Sequence, residues 1–223
     1  MSEKEVKLIE CFNSFQGEGP DSGRSMIILR FKTCNLHCPW CDTAIKMRIS
    51  MEAPYQLSDI QSRINETKAG LLITGGEPTV PRHFNETVML LNELDYPVAN
   101  VESNGFNLFK LMLEIQPEKP VKYIYSPKIF NEDDIKSALE KVELYKGFPN
   151  IYFKIVYEKN QLMETFLEEL AKYENLKWQH RVWLMPEGVT RSDLIRNSEE
   201  VFNACEKYRF NFSSRSHIIF GFI

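Results

Sequence analysis

The sequence lacks the features that mark membrane proteins, nucleic-acid-binding proteins and disulfide scaffolds. No apolar run approaches the ~20 residues that a membrane-spanning helix needs, and Met1–Glu5 is too polar and acidic for a signal peptide. The chain has 27 Lys and Arg against 31 Asp and Glu, so its net charge is negative and no basic surface for nucleic acid is expected. Five cysteines are an odd number, which disfavours a disulfide framework. We expect a cytoplasmic protein with no membrane or nucleic-acid partner.

The hydrophobic pattern predicts one α/β domain over residues 1–223. The length and the 43% of hydrophobic residues suffice for one core, and no repeat or linker divides the chain. Helical patterns alternate with six nearly uniform apolar runs, which predict strands at 25–31, 70–74, 98–102, 122–126, 151–157 and 181–185. Such strands form parallel sheets covered by helices. Six strands indicate a partial barrel or an open doubly wound sheet, with the site at the carboxyl ends of the strands.

Three of the cysteines form a cluster directly after the first predicted strand. Cys34, Cys38 and Cys41 have the spacing Cys-x-x-x-Cys-x-x-Cys. Three thiolates this close can bind three irons of a 4Fe-4S cluster and leave the fourth iron open. The alternative is a zinc site with three cysteines and His37 as the fourth ligand. Neither Cys11 nor Cys205 lies at a ligand spacing from another cysteine. We therefore expect both to be small apolar residues of the core.

Five further motifs join the triplet in a pattern that resembles a known family. They are the segments 15–19 (FQGEG), 41–43 (CDT), 75–78 (GGEP), 102–105 (ESNG) and 126–128 (SPK). Arg30, in the first predicted strand, also belongs to the pattern. The cysteine triplet is similar to the signature of the radical S-adenosylmethionine (SAM) superfamily. The whole set resembles the 7-carboxy-7-deazaguanine synthases within it. The resemblance covers most of the chain up to the sixth predicted strand, and it implies a partial (βα)6 barrel of the radical SAM type.

The resemblance also implies cofactors and the residues that bind them. A 4Fe-4S cluster on Cys34, Cys38 and Cys41 would be joined by SAM and Mg2+. The residues assigned to SAM are Trp40, Asp42, Gly75, Gly76, Glu77, Gly105, Ser126 and Lys128. Those assigned to the pterin substrate are Phe15, Gln16, Gly17, Arg30 and Ser103. Thr43 corresponds to the Mg2+ ligand, although charge alone would favour Asp42. Arg30 lies in an apolar strand, where an ion pair with Glu or Asp is the alternative to a substrate carboxylate.

The implied activity is that of a radical SAM lyase. It would convert 6-carboxy-5,6,7,8-tetrahydropterin to 7-carboxy-7-deazaguanine and ammonia, with an electron donor such as flavodoxin or ferredoxin, and the protein would be a homodimer. Two alternatives are an activase for a glycyl-radical enzyme and a non-catalytic metal-binding module. The 15–19 segment and Arg30 disfavour the first, and the 75–78 motif disfavours the second. The C-terminal segment from Arg215 departs from the family pattern, which puts substrate contacts from that end in doubt.

Overall fold

The structure, a computed structural model, describes residues 4–173 and 180–222. These residues fall into two compact units. The first unit contains the residues up to Gln16 together with Arg24–Ile124, and the second contains Gly17–Gly23 and the residues from Tyr125 onward. The single domain over 1–223 stays a prediction. The first three residues of the segment judged unlike a signal peptide, Met1–Glu5, lie outside the described residues.

Strands and helices alternate along most of the chain, which confirms the α/β class. The strands are β1 Glu5–Leu8, β2 Glu10–Phe15, β3 Ser25–Phe31, β4 Ala53–Gln56, β5 Gly70–Gly75, β6 Ala99–Ser103, β7 Val121–Tyr125, β8 Ile151–Tyr157, β9 Val182–Pro186 and β10 Asn211–Phe212. The helices are α1 Ala44–Ile49, α2 Leu57–Thr67, α3 Pro81–Glu93, α4 Leu108–Glu114, α5 Glu132–Tyr145, α6 Gln161–Ala171, α7 Arg191–Tyr208 and α8 Ser216–Phe220. All six predicted strands are present, with ends within about one residue.

The first unit is built on a mostly parallel sheet. Its strands follow the order β2, β3, β5, β6, β7. Strand β2 pairs antiparallel with β3, whereas β3 with β5 and β5 with β6 are parallel. Met26, Ile28, Leu72 and Val98 form a buried cluster, against which Phe12 packs. Because β2 is an edge, the strands described in this unit form an open sheet. The carboxyl ends of the parallel strands β3, β5 and β6 share one side, whereas β2 ends on the opposite side.

The second unit repeats the same construction on three parallel strands. Strand β9 lies between β8 and β10 and pairs parallel with both. Large apolar side chains of the strands and of α6 and α7, such as Phe153, Phe166, Leu184 and Val201, are fully buried. Strands β8 and β9 are mostly buried, as expected of parallel strands covered by helices, and both are apolar runs and not alternating patterns.

The sequence contains three signals for helix starts: Ser58-x-x-Gln61 and Thr190-x-x-Asp193, which predict caps, and the acidic run at 132–134, which predicts a first helical turn. The Thr190 side chain accepts from the backbone N–H of Asp193 at the start of α7, as predicted. The acidic run at 132–134 forms the first turn of α5, also as predicted. The expected capping box at Ser58 is wrong, because α2 begins at Leu57 directly after β4. Strand β4 pairs with β1, and this pairing fixes where the helix can begin.

Candidate functional site

The site of the first unit starts from a close approach of two backbones. Strands β3 and β5 end side by side, with Phe31 opposite Gly75. The Gly76 N–H donates to the Phe31 carbonyl (2.9 Å), and the Glu77 N–H donates to the Thr33 carbonyl (2.8 Å). A Cβ atom on Gly75 would lie 2.3 Å from the Phe31 oxygen, and one on Gly76 would lie 2.1 Å from the Thr33 oxygen. Both positions therefore require glycine, and Gly75 also has a φ of +117°.

A buried histidine supports the segment that leads into the cysteine loop. His83 lies in α3 and stacks on the Phe31 ring with 4.5 Å between centroids. Its Nε2 accepts from the Thr33 N–H at 3.1 Å. Burial lowers the pKa of His83, which favours the neutral ring that can accept a hydrogen bond. The sequence pattern assigned no role to this residue, because neither contact is visible without the fold.

The cysteine loop presents three half-buried thiols. The Leu36 N–H donates to the Cys34 sulfur (3.4 Å), and the Cys41 N–H donates to the Cys38 carbonyl (3.2 Å). Burial raises the pKa of the Cys34 thiol, against the lowering effect of the Leu36 N–H. Within residues 4–173 and 180–222, no three His, Cys, Asp or Glu side chains converge as a metal site. The fit to an iron–sulfur cluster therefore rests on the donor set, three thiols within eight residues, and on its position at the strand ends.

Glu77 is the centre of a hydrogen-bond network between the ends of β5 and β6. Its side chain is only 1% exposed. One oxygen accepts from the Thr79 hydroxyl (2.6 Å), the Thr79 N–H (3.0 Å) and the Ser103 hydroxyl (2.8 Å), and the other accepts from the Asn104 N–H (2.6 Å). Burial raises the pKa of Glu77, while these donors oppose that rise. The network fixes the carboxylate and joins the end of β5 to the end of β6.

The segment after β6 connects this network to the cysteine loop. The Ser103 hydroxyl accepts from the Gly105 N–H (2.9 Å) while it donates to Glu77. The Asn104 amide donates to the Asn35 side chain (2.9 Å) and lies 3.9 Å from the Cys34 sulfur. Asn104 and Asn35 were not among the predicted site residues. The signal that could have identified Asn104 is its place inside the 102–105 motif, at a strand end facing the cysteine triplet.

Arg30 forms an ion pair within the first unit. Its Nε lies 2.6 Å from Glu10, whose other carboxylate oxygen lies 2.9 Å from the Lys46 ammonium. Burial would raise the pKa of Glu10, but the two cations hold it below its ordinary value. The ion-pair alternative is therefore present in the structure. The assignment of Arg30 to a substrate carboxylate stays a prediction.

The other predicted residues of the first unit lie at the end of β2, in the cysteine loop and in the turn after β6. Phe15 is opposite Ser25, at the start of β3 and not at its carboxyl end. Gln16 is buried, and its amide lies 3.4 Å from Glu102, whereas Phe15 is half exposed at the end of β2. The Thr43 hydroxyl lies 3.4 Å from the Cys41 sulfur, directly before α1. Trp40, Asp42 and Gly105 occupy the cysteine loop and the turn after β6. Trp40 is half-buried, and Asp42 is exposed.

Three predicted residues belong to the second unit. The Lys128 ammonium donates to the Ser126 hydroxyl (2.6 Å) and to its carbonyl (3.0 Å), at the end of β7. Gly17 accepts at its carbonyl from the Ser216 N–H (3.0 Å). The C-terminal segment, whose contribution was in doubt from the sequence, therefore contacts one of the predicted substrate residues.

None of the helices described is long and apolar enough to cross a membrane.

Comparison of this chain with known proteins identifies its sequence relatives. No protein-family model matches the chain. A 7-carboxy-7-deazaguanine synthase from Thermoplasma acidophilum is 34% identical over 176 residues, 74% of this chain and 77% of that protein. Its counterpart from Hyperthermus butylicus is 28% identical over 96% of this chain and 92% of that protein.

A solved structure supports the fold. QueE from Escherichia coli superposes with a TM-score of 0.59 at 18% identity, covering 93% of this chain and 92% of that one. This likeness confirms an α/β fold of the radical SAM type. Together with the sequence relatives, it leads to one conclusion: the chain belongs to the 7-carboxy-7-deazaguanine synthase family of radical SAM lyases.

Proposed function

We propose that this chain converts 6-carboxy-5,6,7,8-tetrahydropterin to 7-carboxy-7-deazaguanine and ammonia. The observation that carries the proposal is the position of the cysteine triplet. In a chain of this family, the loop of Cys34, Cys38 and Cys41 follows β3, and Thr33, which leads into the loop, is hydrogen-bonded to the turn that ends β5. Loss of ammonia alone balances the reaction, so it needs no net oxidant. SAM can therefore be regenerated in each turnover.

The residues that would hold the cofactors all lie at strand ends. Cys34, Cys38 and Cys41 would bind a 4Fe-4S cluster, and its fourth iron would remain available to SAM. The bound pair would supply the hydrogen-atom abstraction that starts the ring contraction. We assign Trp40, Asp42, Gly105, Ser126, Lys128 and the Gly75–Glu77 turn to the SAM side.

The Glu77 network has a clear task in this proposal. A carboxylate fixed by four donors cannot rotate, so any group that binds beside it meets a pre-organised acceptor. Ser103 donates to Glu77 within this network and is also one of the residues assigned to the substrate. Phe15, Gln16, Gly17 and Arg30 complete the proposed substrate contacts, with Gln16 and Gly17 reading the donors and acceptors of the pterin edge.

Three finer features also belong to the proposal. Thr43 would provide a hydroxyl ligand to Mg2+, which keeps several waters and takes few protein ligands. A donor such as flavodoxin or ferredoxin would supply the electron. The protein would act as a homodimer, because sheet edges such as β2 need covering.

The first prediction tests the reaction itself. Anaerobically reconstituted protein, incubated with SAM, a reductant and the pterin, should release the deazaguanine product without an equivalent yield of 5'-deoxyadenosine. The Cys34→Ala variant should lose iron and activity, because one of three ligands is gone. The matched variant Cys11→Ala should keep both. Mass spectrometry and ultraviolet absorbance of the product decide the matter, and a wild type with full iron content but no product would refute the proposed reaction.

The second prediction separates the two partners of Arg30. If Arg30 binds the substrate carboxylate, Arg30→Ala should remove about 2–5 kcal/mol of binding and raise KM more than tenfold. Glu10→Gln breaks the internal ion pairs with Arg30 and Lys46 but keeps the guanidinium, and it should raise KM far less. Steady-state kinetics of both variants provide the comparison. An unchanged KM in Arg30→Ala would show that the guanidinium serves the ion pair alone.

The third prediction concerns the metal. Thr43→Ala should lower kcat and abolish the dependence of the rate on added Mg2+, because the hydroxyl ligand is lost. Thr43→Ser keeps a hydroxyl and should retain that dependence. Titration of the rate with MgCl2 measures the effect. Loss of the dependence in Asp42→Ala, with retention in Thr43→Ala, would move the ligand by one residue.

A further inference from the structure

A buried ionic cluster in the second unit surrounds Glu18, a residue of the 15–19 motif that the proposed function does not use. One carboxylate oxygen lies 2.5 Å from the Lys154 ammonium. The other lies 2.9 Å from Nε of Arg215 and 3.9 Å from Nε2 of His217. The side chains of Glu18, Lys154 and Arg215 are 11%, 5% and 5% exposed. This cluster of charges comes from three distant parts of the chain.

The neighbouring cations favour the anionic form of Glu18. Burial by itself would raise the pKa of Glu18, but the attraction of Lys154, Arg215 and His217 outweighs it and holds the pKa well below its ordinary value. Removing charges from water is costly, so a buried ion pair is a weak means of stabilising a fold. An anion held between two buried cations instead suits the task of fixing one arrangement of the chain.

The segment that carries Glu18 lies directly on the C-terminal segment. The Gly17 carbonyl accepts from the Ser216 N–H (3.0 Å), and the Gly19 N–H donates to the Ser213 hydroxyl (3.0 Å). A Cβ atom on Gly17 would lie 1.8 Å from Nδ1 of His217, so the imidazole occupies the space beside this glycine. Residues 17–19 are therefore held against residues 213–217 by two hydrogen bonds and by the packing of His217.

The backbone of Arg215 gives a second, independent indication. Its φ of +54° and ψ of +51° are left-handed, a conformation that residues with a Cβ rarely adopt. Such strain persists where the surroundings determine it, and it is concentrated at functional sites. The guanidinium donates to the Gly188 carbonyl and to Glu18, and both bonds are buried. The ion pair with Glu18 thus holds the C-terminal segment in its strained turn.

From these contacts we infer that Glu18 is a positioning residue for the substrate. It holds the strained turn at Arg215, and that turn holds Gly17 at the position from which its backbone reads the pterin edge. The inference rests on the proposed function, which assigns Gly17 to the substrate. Because the pterin edge is remote from the reacting carbon, its contacts act equally on ground and transition state, and their loss should appear in KM and not in kcat.

The test is Glu18→Gln in the full-length, cluster-loaded enzyme. The variant replaces the anion by a neutral amide of the same shape and removes the negative charge from between Lys154 and Arg215. KM for the pterin should rise about tenfold, with kcat within about twofold of the wild type. Iron content and SAM cleavage without substrate should not change. The matched control is Glu200→Gln, which breaks an exposed ion pair with Lys159 and should leave KM unaltered.

Two further variants keep the inference falsifiable if Glu18→Gln folds poorly. Glu18→Gln/Lys154→Gln removes one cation with the anion, so it should fold and still show the raised KM. Glu18→Asp keeps the charge and should restore KM in part. A wild-type KM in the double variant would overturn the positioning role and leave Glu18 as a structural ion-pair partner.

Hydrogen exchange separates this inference from the proposed reaction. In the Glu18→Gln enzyme, the amides of Gly19 and Ser216 should exchange faster than in the wild type, while those of Gly76 and Glu77 should not. Unchanged exchange at Gly19 and Ser216 would refute the positioning role even if the reaction is correct. Faster exchange in Glu18→Gln, together with a wild type that makes no product, would refute the reaction and leave the positioning of the segment intact.

Discussion

The close approach of two backbones at the ends of β3 and β5 is the constraint on which the first unit's site depends. Only glycine can occupy Gly75 and Gly76, since a Cβ atom at either would meet a carbonyl oxygen at 2.1–2.3 Å. Their turn holds Thr33, the residue before the cysteine loop, and it places Glu77 where the donors after β6 can reach it. The cysteine loop, the Glu77 carboxylate and the neutral His83 are therefore parts of one assembly.

Two buried glutamates perform opposite electrostatic roles in the two units. Glu77 is bound by neutral donors, and burial raises its pKa. Glu18 is bound by cations, and its pKa is lowered in spite of its burial. A carboxylate among neutral donors keeps its attraction for an incoming cation such as an ammonium group. One already balanced by Lys154 and Arg215 has no such attraction left, which suits it to hold the chain and not a ligand.

The sequence predicted six of the described strands and the motifs at their ends, because both are local properties, but it did not predict the edge strand β2. An apolar run such as 151–157 predicts its own strand, and parallel strands bring motifs at their carboxyl ends to one edge. The partners of the charged residues could not be predicted in the same way. Glu18 meets Lys154 and Arg215 across 136 and 197 residues, and Arg30 meets Glu10 only through the antiparallel pairing of β2 with β3. The short elements β1, β4, β10 and α8 were missed because they contain too few residues for a periodic pattern.

The most direct test of the central constraint is the iron content of Gly76→Ala after anaerobic reconstitution. Gly147→Ala is the matched control, because a Cβ atom there has nothing within 4 Å. The added methyl at position 76 must displace the backbone of Thr33 and Cys34, so that variant should bind much less iron and sulfide, with circular dichroism like that of the wild type. Gly147→Ala should bind the wild-type amount. Full iron and sulfide in Gly76→Ala would contradict the account, since the cysteine loop would then not depend on the glycine turn.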